Sequence, residues 1–254
     1  MTVEVEDREN GVRIIRLAGA SASKSFSRES MPIIARAIDD GLSKQSVRAL
    51  IITGEGKFFS AGADIHAFQE AIDADDAPQL IRDLTSILHP LLVRMRQSAT
   101  IVVGAINGAA AGGGLGLALA CDVRIGSPKA KLAASYASMG LSPDGGTTWL
   151  LPRLVGEQRS RTFFFENQIW SAEQALNAGA LDEVVEADEL INRSIEVATN
   201  WSQWGKHFRE ATKHLLHVQS QNDFETHLKH EQTLIEAAGT TSEFKEGVSK
   251  FLGN

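Results

Sequence analysis

The 254-residue chain holds one cysteine, Cys121, so a disulfide framework is excluded. Cys121 lies inside an apolar run and reads as a small buried hydrophobe. No stretch is rich in Lys and Arg. With 25 basic against 32 acidic residues the formal charge is -7, and nucleic acid is not an expected partner. No apolar run reaches about 18 residues, because glycines and Asn107 interrupt the longest one, so no membrane span is expected. The N-terminal MTVEVEDRENG is too acidic and polar for a secretory signal peptide, which leads to the expectation of a cytoplasmic protein. Several motifs are missing outright. Gly-Lys-Ser/Thr is absent, which excludes a Walker A loop, and a dinucleotide fingerprint fails at Leu117. There is no G-x-S-x-G elbow. His230-Glu231 begins like a zinc motif that ends instead at Leu234, and no Cys/His grouping has metal spacing, so no metal is expected.

What is present reads as one large domain. Hydrophobic residues make up 43% and charged residues 22%, ordinary proportions for a globular protein. Val12 to Leu17, Ala49 to Thr53, Ile101 to Ile106 and Asp122 to Gly126 read as strands, the second and third nearly all apolar, as expected when both faces are buried. Arg28 to Leu42 has Met31, Ile34, Ile38 and Leu42 at helical spacing. Pro78 to Gln97 reads as a helix despite Pro90, and Gly113 to Cys121 as an apolar helix. Strands thus alternate with helices to about residue 155, which favours an α/β fold with parallel pairing. From Glu157 the pattern is mostly helical. Ser171 to Ala178 carries a capping box, Ser171 with Gln174, and Leu181 to Val185 reads as a last strand. Amphipathic helices fill Ala187 to Leu252. The expected division is a core over residues 1–190 and a C-terminal helical region over 191–254.

Two stretches carry the chemistry: FFSAGADI, from Phe58, and INGAAAGGGLGLALACD, from Ile106. Each reads as a buried strand, a Gly/Ala turn and a helix start. Such turns leave backbone N–H groups free to bind developing negative charge. Two of them about fifty residues apart can supply two donors to one oxyanion. The glycine cluster from Gly112 to Gly116 also admits a plainer reading as close helix packing, and the second turn one as a tight turn capped by Asp64. Asp144, in PDGGTTWLL, reads either as a helix N-cap or as a general base, desolvated by neighbours such as Trp149. His89, mid-helix beside Pro90, reads as packing or surface.

At these residues the chain resembles the enoyl-CoA hydratase/isomerase (crotonase) superfamily over about Arg13 to Leu252. GEGKFFSAGADI, AINGAAAGGGLGLALACDVRI and MGLSPDGGTTWLLPRLVG carry the likeness most strongly, with SAEQALNAGALDEVV and EFKEGVSKFL in support. The resemblance implies an α/β spiral of ββα repeats ending in helices that serve trimerisation or a lid. It also implies homotrimers that pair into hexamers, and acyl-CoA thioester substrates. Coenzyme A is then part of the substrate, with no prosthetic group. It further implies an oxyanion hole from the N–H groups of Ala63 and Gly113.

Two departures narrow the reaction. Hydratases of the family carry two glutamates, and the matching positions here are Gly116 and Tyr136. The remaining acid is Asp144, in a segment most like the ring-epoxide isomerase of phenylacetyl-CoA degradation and the 3,2-enoyl-CoA isomerases, where an aspartate shuttles a proton. In the dehalogenase branch an aspartate at the place of Asp144 is a nucleophile, and a histidine matching His89 assists hydrolysis. There, Leu88 and Tyr136 replace tryptophans. For coenzyme A the resemblance points to Lys24 near the phosphates, and to Ala61, Asp64 and Ile65 around the adenine, with Tyr136 also beside the substrate. An isomerase is the expected activity. The alternatives are a hydratase, a hydrolase or dehalogenase using Asp144 and His89, and a non-catalytic acyl-CoA-binding homologue.

Overall fold

A computed structural model describes residues 2–253. Ten strands form two sheets: β1 (Thr2–Asp7), β2 (Val12–Ala18), β3 (Ala49–Gly54), β4 (Phe58–Ser60), β5 (Ile101–Ile106), β6 (Ala109–Ala111), β7 (Val123–Gly126), β8 (Lys131–Ala133), β9 (Ile169–Ser171) and β10 (Glu183–Val184). Twelve helices accompany them: α1 (Ala20–Ser23), α2 (Ser30–Ser43), α3 (Ile65–Asp73), α4 (Ala77–Gln97), α5 (Gly113–Ala120), α6 (Thr147–Val155), α7 (Glu157–Phe165), α8 (Ala172–Ala178), α9 (Leu190–Ser202), α10 (Lys206–Val218), α11 (Phe224–Ala238) and α12 (Ser242–Phe251).

The large sheet runs β1-β2-β3-β5-β7-β10, parallel except for β1, and the small sheet runs β4-β6-β8-β9, parallel except for β9. In the middle of the chain, successive passes lay one strand in the large sheet, the next in the small sheet, and then a helix. β3, β4 and α3 make one such ββα turn, and β5, β6 and α5 the next. This is the expected crotonase-like spiral, and the neighbouring passes bring the ends of β4 and β6 side by side.

The fully buried β3 and β5 explain themselves by their period of two. Leu50, Ile52, Val102 and Ile106 face the main core with Ile34, Ile38 and Leu91, while Ala49, Ile51, Ile101 and Val103 pack with Leu190, Val197 and Ala198 of α9. Cys121 lies in the main core with burial pushing its thiol up to about 12, which bears out the reading as a small hydrophobe. Ser171 and Gln174 form the reciprocal capping box at α8. No described helix is long and apolar enough to cross a membrane.

Other elements differ from the sequence reading. The acidic N-terminus forms β1, an edge strand whose charges pair across the sheet: Glu4 lies opposite Arg16, and Asp7 binds Arg13 at 2.6 Å and Lys44 at 2.7 Å. The helix expected from Arg28 begins at Ser30, and the strand expected over 181–185 shrinks to Glu183–Val184. Of the small sheet, the strand expected at Phe58 is β4, while β6, β8 and β9, three residues each, escape the sequence reading.

Asn107 holds the two sheets in register where the chain crosses between them. Its Oδ1 accepts from the Gly54 N–H at 2.8 Å, its Nδ2 donates to the Phe58 carbonyl at 3.1 Å, and its carbonyl accepts from Ser127 Oγ at 3.0 Å. Asn107→Ala removes the side-chain bonds and is expected to destabilise the fold by about 2 kcal/mol. Urea denaturation of the two proteins measures this, and an unchanged midpoint would remove Asn107 from this role.

Candidate active site

The chain enters the site twice, each time through a glycine with a positive φ that other residues rarely adopt. Gly62 has φ 82° and Gly112 has φ 54°. The turn at Gly62 is stitched to the preceding segment: the Ala61 N–H donates to Ala22 O at 2.8 Å, the Phe26 N–H to Gly62 O at 3.0 Å, and the Asp64 N–H to Phe26 O at 3.3 Å. The N–H of Ala63 is skipped in this ladder and has no acceptor among the described residues. Gly113 is the first residue of α5, whose N-cap Gly112 offers no side-chain acceptor, so its N–H is free as well. The two turns touch: a Cβ built on Gly62 would stand 2.6 Å from the Ala111 carbonyl oxygen and 3.7 Å from the Gly113 nitrogen.

Both readings of the glycine cluster are realised, at different residues. Gly113 presents the free N–H, whereas Gly114 and Gly116 serve close packing. A Cβ on Gly114 would meet Ser60 O at 2.3 Å, and one on Gly116 would meet Gly145 O at 2.3 Å. The second contact seats the loop that carries Asp144 directly on α5.

Asp144 is not the N-cap of α6, a place taken by Gly146. Its carbonyl oxygen accepts from the Tyr136 hydroxyl, the Thr147 hydroxyl and the Thr147 N–H, at 2.9, 2.9 and 3.2 Å. Burial pushes the Tyr136 phenol up to about 12, so it stays a donor. These bonds fix the backbone and leave the carboxylate free. Oδ1 lies 2.6 Å from Nε2 of His89, and no bond from a described residue reaches Oδ2. The expected desolvation by Trp149 is not what surrounds it. Trp149 packs under the Arg153 guanidinium, 3.5 Å from the ring centre, and against His217. The Asp144 side chain is 37% exposed and that of His89 51%. His89 is therefore more than surface, because it meets Asp144 from α4.

A cavity of about 310 Å³ collects these groups. Ala63, Gly113, Tyr136 and Asp144 line it together with Phe26, Phe68, Leu84, Leu88 and Met139. Asp144 is the one carboxylate among its described lining residues. The arrangement can place a carbonyl oxygen on two N–H donors with a carboxylate against the adjacent carbon, in apolar surroundings that strengthen both contacts.

Residues 7–254 match the family model described as enoyl-CoA hydratase/isomerase. The chain belongs to the enoyl-CoA hydratase/isomerase family. Among relatives within it, the 1,2-epoxyphenylacetyl-CoA isomerase of Escherichia coli (strain K12) is 30% identical over 96% of this chain and 93% of that protein. A trans-2-decenoyl-(acyl-carrier-protein) isomerase of Streptococcus mutans is 29% identical over 96% and 92%. The crystal structure of an enoyl-CoA hydratase from Bacillus anthracis has a TM-score of 0.90 and 27% identity, covering 100% of this chain and 96% of that one. Crotonyl-CoA hydratase and 4-chlorobenzoyl coenzyme A dehalogenase also occur among the relatives.

In this member of the enoyl-CoA hydratase/isomerase family, a hydratase-type glutamate has no room at position 116 unless the Asp144 loop moves. Of the residues expected around coenzyme A, Lys24 and Asp64 are not among the lining of the cavity. Ala61 and Ile65 line the cavity, and Lys24 stands 2.9 Å from Asp64. Burial alone would raise the Asp64 carboxyl, but hydrogen bonds from Lys24 and the His66 N–H hold it below its ordinary value. Asp64 is thus occupied as the N-cap of α3. Tyr136, expected beside the substrate, lines the cavity, but sequence reading missed its neighbours Ser135, Met139 and Leu141 to Pro143, and Phe26, whose ring covers Gly113 so closely that a Cβ there would stand 2.6 Å from it. The C-terminal helices, expected to serve trimerisation or a lid, supply none of its described lining.

Gly116→Ala places a methyl group against Gly145 O and shifts Asp144. Stability should fall by about 1–3 kcal/mol, and kcat by roughly 100-fold, as for a displacement near 1 Å. Steady-state kinetics on a folded variant measure this, and undiminished turnover would show that the Gly116 seat does not position Asp144.

Proposed function

We propose that the protein is an acyl-CoA isomerase that shifts a double bond from the 3 to the 2 position, or isomerises a ring-epoxide acyl-CoA, through an enolate. The observation that carries the reading is the placement of a single carboxylate, Asp144, in the cavity that holds the free N–H groups of Ala63 and Gly113. The thioester oxygen accepts from both N–H groups, each contributing roughly 3 kcal/mol to lowering the barrier. Asp144 Oδ2 takes a proton from C2. The C–H electron pair moves into the thioester carbonyl, giving a dienolate whose charge rests on the oxygen. Collapse of the dienolate takes the proton back from Asp144 at C4 and leaves the double bond between C2 and C3. His89 orients Asp144 by holding Oδ1. For an epoxide, the same donors and carboxylate assist ring expansion.

Coenzyme A enters this reading as part of the substrate, with Lys24, Asp64 and the Ala61–Ile65 turn beside it. A homotrimer or hexamer belongs to the same proposal. Its support is the apolar surface of the C-terminal helices, where Phe224, Ile235 and Phe251 are 78%, 73% and 93% exposed. A hydrolase or dehalogenase reading is favoured by the His89–Asp144 contact, which would let the imidazole activate water against an ester on Asp144.

The test is a side-by-side assay of 3-enoyl-CoA, 2-enoyl-CoA and 4-chlorobenzoyl-CoA with the native protein and Asp144→Asn. Conjugated-thioester absorbance from the 3-enoyl substrate, reduced at least about 100-fold in the variant while acyl-CoA binding persists, is the expected result. Silence on the 3-enoyl substrate, with hydration or halide release from the others, would replace the isomerase reading with a water-using one.

A further inference from the structure

A second pocket lies at the opposite end of the parallel sheet, where β5 and β7 begin, between the last turn of α4 and the junction of α9 with α10. Its volume is about 450 Å³, and Arg96, Trp201, Trp204, Phe208, Arg209 and Lys213 line it. It shares no residue with the catalytic cavity.

The charges there do not balance. Lys213 is satisfied by the structure itself, donating to Met95 O and Thr100 O at 2.9 Å each and to Asp122 Oδ2 at 2.8 Å. Asp122 is the one carboxylate lining the pocket, and the same oxygen also accepts the Val102 N–H at 2.8 Å. The two arginines are left over. Arg209 is only 7% exposed, and its Nη1 donates to the Arg48 carbonyl at 2.8 Å, but its Nε has no partner among the described residues. Arg96 likewise keeps a buried, unpartnered Nε. Neither is paired with a described carboxylate. Burial, with the Arg48 charge nearby, pushes the Arg209 pKa down, the direction expected of a guanidinium held without a counter-ion. Three cations against one carboxylate stand out in a chain of net charge -7.

A buried guanidinium lacking a partner is costly, and a bound anion relieves it with strong, directional hydrogen bonds. Beside the arginines stand Trp201 and Trp204, about half exposed, and Phe208, 57% exposed. Apolar walls with a few convergent polar groups, in a volume of this size, are the general form of a small-molecule site.

We propose that this pocket binds a small amphipathic organic anion, with its carboxylate on Arg209 and Arg96 and its aromatic or aliphatic body along Trp201, Trp204 and Phe208. Calorimetric titration of the full chain with 2-naphthoate, 2-naphthylmethanol and inorganic phosphate tests this, with butyryl-CoA present in excess to occupy the catalytic cavity. Naphthoate should bind at one site. The neutral alcohol and phosphate should each bind at least about tenfold more weakly, the worth of one charge-assisted hydrogen bond. Arg209→Met and Trp204→Ala should each weaken naphthoate by a similar factor while leaving acyl-CoA turnover unchanged. Should Arg209→Met fail to fold, Arg96→Gln reads the same interaction from the other side of the pocket. The absence of saturable naphthoate binding, equal binding of the alcohol, or affinity unchanged by these substitutions would overturn the proposal.

Discussion

The site depends on the parallel pairing of two strands of three residues, β4 and β6. Phe58 lies opposite Ala109 and Ser60 opposite Ala110, and each strand runs straight into its turn. That register brings the Ala63 and Gly113 N–H groups to one place from positions about fifty residues apart. Strands so short contribute little pairing energy of their own. Their register is inherited from the fully buried β3 and β5, through the corners that Asn107 ties together. The hydrophobic core of the large sheet thus sets the geometry of two polar donors in the small one.

A second dependence follows from the small residues of α5. Helix and Asp144 loop approach so closely at Gly116 and Gly145 that any side chain at 116 would move the carboxylate. The same contact that seats Asp144 leaves no room for a side chain at position 116, where the resemblance leads one to expect a glutamate in a hydratase. The Tyr136 hydroxyl, bonded to the Asp144 carbonyl, reinforces the same loop.

The legible part of the sequence was its apolar pattern and its turn chemistry. ALIIT and IVVGAI declared buried parallel strands, and the Ser171–Gln174 capping box marked its helix to the residue. The two Gly/Ala turns were visible because glycine and alanine cluster there against the local trend. Of the small sheet only β4 was legible, through the turn it runs into, since three residues show no period. Nor was β1, whose alternating acids pair with Arg16, Arg13 and Lys44 only once β2 lies beside it. Asp144 was found, but its environment was misjudged. The adjacent Trp149 faces Arg153 and His217, while the true neighbour, His89, comes from another helix, 55 residues away in the sequence. The unpaired arginines at the far end of the sheet gave no sequence signal, because their isolation arises only from tertiary packing.

The central proposal is that one carboxylate carries the proton between two carbons of an enolate held by two backbone donors. The stereochemical course of the 1,3-proton shift tests this most directly. It is read by nuclear magnetic resonance of product formed in deuterated water from 3-enoyl-CoA labelled stereospecifically at C2. Removal from C2 and delivery to C4 on the same face is the expected result, because Asp144 lies on one side of the bound chain. Delivery to the opposite face would require a second acid across the cavity, where the described lining has none, and would contradict the single-carboxylate mechanism.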